Sequence, residues 1–108
     1  MIFLGKFDII ISIMESLFNL EQVNLKEVKI NIAEWCVLLR KEHNETQISL
    51  AEKLNISHKT IYNLEKGSNF TIDTLLKVLQ YFDRLDLFNK FLIDQTSQER
   101  EKNNFSFY

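Results

Sequence analysis

The sequence predicts an all-α domain, on three observations. It holds no proline and only two glycines, Gly5 and Gly67, too few to punctuate a β-sandwich or barrel. Its apolar residues recur three and four apart in runs separated by short polar breaks, the period of amphipathic helices. A length of 108 residues, 45% of them hydrophobic, is enough for one modest core with an appended arm.

Residues 1–29 read as an N-terminal apolar, amphipathic arm, expected to be helical. Lys6, Asp8 and Glu15 interrupt it, so no run approaches the ~20 apolar residues of a membrane span. Met1 opens directly onto Ile2-Phe3-Leu4, without the basic start or small-residue cleavage site of a signal peptide. The arm is expected to pack on the domain or on a second copy of it, and the protein is expected to be cytoplasmic, with no membrane partner.

Residues 30–94 form the predicted domain. A first helix, roughly Asn31–Glu42, carries Ile32, Trp35, Cys36 and Leu39 on one face, with Val37 and Leu38 widening it. Thr46 is placed as the N-cap of Gln47–Leu54, whose face is Leu50, Ala51 and Leu54. Asn55 tolerates positive φ and suits a tight turn. Ser57 can cap His58–Lys66, which directs Ile61, Leu64 and Glu65 inward, and Gly67 stands where a left-handed C-terminal residue is wanted. Thr71 caps the next helix, with Ile72, Leu75, Leu76, Leu79 and Phe82 as its apolar face. A last helix around Asp86–Asp94 offers Phe88, Phe91 and Leu92, and residues 95–108 read as a polar, flexible tail.

The chemistry is narrow. A single cysteine, Cys36, excludes an internal disulfide framework and suits a reducing compartment. With only His43 and His58 as imidazoles, no metal site is expected, and His43 reads as a solvated helix end. There is no Gly-rich phosphate loop and no serine elbow, so no catalytic residue, no cofactor and no small-molecule ligand are expected, and the protein does not read as an enzyme.

Two short helices joined by a turn of three or four residues, with the small Ala51 in the first and Ile56 plugging the gap, are a helix-turn-helix. The run Thr46-Gln47-Ile48-Ser49-Leu50-Ala51 through Asn55-Ile56-Ser57 to Ile61 and Leu64-Glu65-Lys66-Gly67 resembles the lambda repressor/Cro-like (XRE-type) family. That family's pattern is T-Q-x-x-L-A-x-x-x-G-I-S-x-x-x-I-x-x-L-E-x-G, and the chain departs from it only where Asn55 replaces the turn glycine. The resemblance spans roughly residues 31–94. It implies a five-helix fold and a DNA-binding transcriptional regulator of bacterial or phage type, a repressor that binds a palindromic operator as a homodimer.

A 100° step per residue places Lys59, Tyr62, Asn63 and Lys66 on one outward face of the second helix, with His58 and Thr60 at its edges. Asn63 carries the donor–acceptor pair that reads adenine, and Lys59 can donate to guanine or phosphate. Tyr62 can meet a thymine methyl, His58 a base edge or a phosphate, and Ser57 and Thr60 a phosphate. The resemblance implies a phosphate contact for Gln47, and a structural ion pair between Arg40 and Glu65 that locks the first helix to the third.

The net charge of −2 argues against nucleic acid. Placement answers it: between Ile56 and Gly67 the exposed charges are His58, Lys59 and Lys66, and the one acid, Glu65, faces inward. Two other readings share the sequence features. One is an antitoxin that neutralises a toxin partner and autoregulates its operon; the other is a protein-interaction module on the same fold without DNA binding, which the near-neutral charge favours.

Overall fold

A chain short of glycine and proline must end most of its helices by other means, and of four left-handed closures here three use asparagine or aspartate. The computed structural model describes residues 8–14 and 23–103. Residues 8–14 are helical (α1). They are followed by α2 (Leu25–Glu42), α3 (Gln47–Leu54), α4 (His58–Lys66), α5 (Ile72–Tyr81) and α6 (Leu85–Asn103). Asn44, Asn55, Gly67 and Asp83, just beyond α2, α3, α4 and α5, all take left-handed φ near +60 to +70° (56°, 57°, 71° and 56°). Each is followed by an amide that reaches back to a carbonyl of the last turn: Glu45 to Arg40, Ile56 to Ala51, Ser68 to Asn63 and Arg84 to Leu79. These closures satisfy carbonyls the helix itself leaves open. Asparagine and aspartate are the non-glycine residues for which the left-handed region costs least.

The starts are equally local. Thr46, Ser57 and Thr71 accept from the amides of Ser49, Thr60 and Thr74 at 3.0, 3.1 and 3.2 Å. Asn24 does the same for Glu27 at 2.8 Å. That cap starts α2 at Leu25, well ahead of the expected Asn31 and of the boundary at residue 30.

The core gathers Cys36 and Leu39 of α2, Leu50 and Ala51 of α3, Ile61 and Leu64 of α4, Leu75, Val78 and Leu79 of α5, and Phe82. Ile32, Trp35, Leu54, Ile56 and Phe88 pack around it. Leu38 does not widen the face as expected. It is 57% exposed, because its position falls roughly opposite the arc defined by Ala33, Cys36 and Leu39. Phe82 lies beyond α5 rather than within it, yet is buried against the His43 and Tyr81 rings at 4.8 and 4.9 Å. Gly67 lies so close to α2 that an added Cβ would meet Lys29 O at 3.3 Å and the Ile30 backbone at 3.4 Å.

The last helix departs most from expectation. It continues past Asp94 to Asn103, because residues 95–103 contain no breaker and Glu99, Arg100, Glu101 and Lys102 are strong helix formers. None of its residues is fully buried. Leu87, Phe91, Leu92 and Ile93 are exposed, and a groove of about 370 Å³ between α5 and α6 is lined by Ile72, Leu76, Leu85, Asp86, Phe88, Asn89 and Leu92. Ile72, expected on the inward face of α5, stands exposed at this groove. Within the N-terminal arm, Ile9, Ile10, Ile11, Ile13 and Met14 are all exposed, so these residues show no packing on the domain, while residues 25–29 form the first turns of α2. The expectations for 1–7, 15–22 and 104–108 lie outside the described residues.

Candidate nucleic-acid interface

The arrangement α3–turn–α4 is built by small and β-branched residues at a crossing. Ala51, 2% exposed, leaves room for α4 to approach, and Ile56 packs into the junction against the core. Ile61 and Leu64, both fully buried, pin α4 from beneath. The opposite side of α4 presents His58, Lys59, Tyr62 and Lys66 to solvent, with Thr60 and Asn63 half-buried. Lys66 Nζ lies 5.2 Å from the centre of the Tyr62 ring, a cation–π distance that draws the two side chains together. Ser57 and Thr60 share a hydroxyl hydrogen bond of 2.7 Å in addition to the cap.

Beneath this face lies a polar network. Arg40 Nε and Nη2 donate to the two oxygens of Glu65 at 2.6 and 2.9 Å, and Nη1 donates to the Glu45 carbonyl at 2.8 Å. The side chains are 12% and 5% exposed. The bidentate geometry with Glu65 raises the Arg40 pKa above its already high ordinary value. Glu65 also accepts from Gln47 Nε2 at 2.9 Å, and Gln47 Oε1 meets His58 Nε2 at 2.9 Å. Four residues from α2, α3 and α4 therefore form one chain, from a nearly buried ion pair up to the first exposed residue of α4.

A second cluster braces the entry to α3. Glu45 accepts from the Tyr81 hydroxyl, from Ser49 Oγ at 2.7 Å and from Lys53 Nζ at 3.0 Å. The Tyr81 bond first, then those of Ser49 and Lys53, hold the carboxyl down at about 2 against an ordinary 4.5. Cys36 has no such partner. Burial first, and the Glu65 charge second, push its thiol up to about 12, which makes it a core residue rather than a nucleophile. His43, the exposed C-cap of α2, donates from Nδ1 to the Leu39 carbonyl at 2.8 Å and lies tilted against the Phe82 ring, so it closes the helix at the solvent boundary as expected.

Two of the contacts that sequence reasoning left unread bear most on the site. The Gln47–His58 bond joins residues eleven apart, and a polar residue opening each of two crossing helices is the signal that could have found it. Tyr81 lies 36 residues from Glu45, and nothing in either local pattern marks the pair.

The fold is that of a lambda repressor-like helix-turn-helix domain, the kind found in DNA-binding regulators. Residues 38–88 match the family model described as Helix-turn-helix. No curated protein and no solved structure matches the chain. Among the described residues no helix is long and apolar enough to cross a membrane, and no three metal-ligating side chains cluster.

Proposed function

We propose that the chain is a sequence-specific transcriptional repressor whose helix α4 enters the major groove of a palindromic operator, acting as a homodimer in the cytoplasm. The observation that carries this reading is the charge placement on α4. His58, Lys59, Tyr62 and Lys66 are exposed, while Glu65 is turned away and neutralised by Arg40. Lys59 and Asn63 are the base readers, with Tyr62 and Lys66 beside them and Ser57 and Thr60 as lesser phosphate contacts. Gln47 has a second Nε2 hydrogen left for a phosphate after its bond to Glu65. A dimer would set two copies of α4 about 34 Å apart, one turn of the duplex. The exposed apolar side chains of α6 supply surface for the contact. The balanced charge of the domain predicts weak non-specific affinity and dependence on pairing.

Binding of the wild type and of a Lys59→Ala, Asn63→Ala double variant to DNA upstream of its own gene tests the reading. Salt-sensitive binding by the wild type, with sequence preference lost in the double variant, is expected. Wild-type protein that neither binds that DNA nor enriches a palindrome from random duplexes would overturn it. The apolar groove between α5 and α6 favours a second reading, an antitoxin that holds a toxin there while repressing its own operon. Co-purification with the product of an adjacent gene distinguishes it.

A further inference from the structure

We propose that His58 reads a base edge as a hydrogen-bond acceptor, and that Gln47 and Glu65 set it in that role. The inference deepens the major-groove reading of α4 and rests on it. The Glu65 carboxylate, paired to Arg40 through two bonds, can only accept. The Gln47 amide 2.9 Å from Glu65 Oε1 must therefore turn its nitrogen to it, and its oxygen is committed to His58 Nε2 at 2.9 Å. An amide oxygen also only accepts, so the hydrogen between them belongs to His58 Nε2.

In a neutral imidazole with its hydrogen on Nε2, Nδ1 is a bare lone pair. Nδ1 makes no hydrogen bond to a described residue, and the ring is exposed at the first position of α4. The consequences for recognition are specific. A lone pair cannot bond a phosphate oxygen, guanine N7 or O6, or thymine O4, all of which only accept. In the major groove it fits the exocyclic amines alone, adenine N6 and cytosine N4. Of the two partners open to His58 by sequence, base edge and phosphate, the relay selects the base. Lys59, a donor only, reads the complementary set one residue along.

The test has an arm that needs no DNA. Long-range proton–nitrogen NMR of the full chain at about pH 8, above the ordinary histidine range, reports which ring nitrogen carries the hydrogen. The wild type is expected to show Nε2–H, and Gln47→Met a mixture of tautomers. Selection from randomised duplexes then reads the base. The wild type is expected to prefer A or C at one position per half-site by about fivefold, the worth of one hydrogen bond. His58→Ala loses that preference alone, and Gln47→Met admits G there while leaving the other positions unchanged. An Nδ1–H tautomer or an imidazolium in the wild type overturns the proposal, as does a G or T preference that His58→Ala removes, or a His58→Ala selection identical to wild type. Wild-type protein with Nε2–H that selects no DNA rejects the major-groove reading, and the base assignment with it, while the tautomer stands. Should Gln47→Met fail to fold, the wild-type tautomer and the His58→Ala selection decide the matter.

Discussion

Replacing Glu65 with alanine is expected to be among the most damaging single changes in the domain outside its apolar core. The carboxylate accepts three bonds, at 2.6 and 2.9 Å from Arg40 and 2.9 Å from Gln47, in a site where the two charged side chains are 12% and 5% exposed. Its loss leaves two guanidinium N–H groups without partners and a positive charge in a nearly closed pocket. Stripping one partner from a buried pair costs about 3–5 kcal/mol. Arg40 retains slight exposure and its bond to the Glu45 carbonyl, so the low end, about 3 kcal/mol, is expected. At roughly 4–8 °C per kcal/mol for a domain of this size, Tm should fall by about 12–24 °C. Urea unfolding followed by Trp35 fluorescence measures it, with the slope unchanged if only stability moves. An Arg40→Met, Glu65→Leu double variant should recover most of the loss, because apolar replacement removes both desolvated charges together. A Glu65→Ala penalty below about 1 kcal/mol, the level of a solvated surface pair, would refute the reasoning.

Four further outcomes follow from the geometry. Gly67→Ala, at φ 71° and with 3.3–3.4 Å contacts to the α2 backbone, should cost about 2 kcal/mol or more in chemical unfolding; a neutral result would contradict the close approach. Asn55→Gly, at φ 57°, should raise stability by about 0.5 kcal/mol, since it relieves a left-handed non-glycine residue, and a measured loss would count against that view. Glu45 titrates near 2 in the folded chain against an ordinary 4.5, so its contribution is full above about pH 4.5 and is lost as pH falls toward 2. Tyr81→Phe removes the largest cause of that shift and should flatten the fall of Tm over this interval; parallel curves for the two proteins would exclude the role given to the hydroxyl. Cys36, with its thiol at about 12, should react with thiol reagents near pH 8 only as fast as the core opens; a native-state rate matching a free thiol would show that burial fails to protect it.

What the sequence disclosed and what it withheld divide by distance along the chain. Three caps, Thr46, Ser57 and Thr71, and the bounds of α3 and α4 could be read because each depends on residues within one turn. Asn24 was just as local, an asparagine three residues before a glutamate, but the apolar arm before it obscured where periodicity began. The extension of α6 went unread because its last turns touch little, and hydrophobic period is silent where a helix buries nothing. The outward face of α4 was legible from the 100° step. The position of Gln47 between Glu65 and His58 was not, since it depends on the angle at which α3 crosses α4, a quantity no local spacing encodes.

The bond from Gln47 to Glu65 also bears on how such a domain can change over generations. If the domain reads DNA as proposed, its contact residues on α3 and α4 fall into two kinds. Gln47 and His58 are tethered through Glu65 to the pair that holds α2 and α4 together, so altering them disturbs the fold as well as the target. Lys59 and Tyr62 stand on exposed positions with no hydrogen bond to the network below. A lineage is thus free to acquire a new operator through the second kind while the first is inherited with the scaffold.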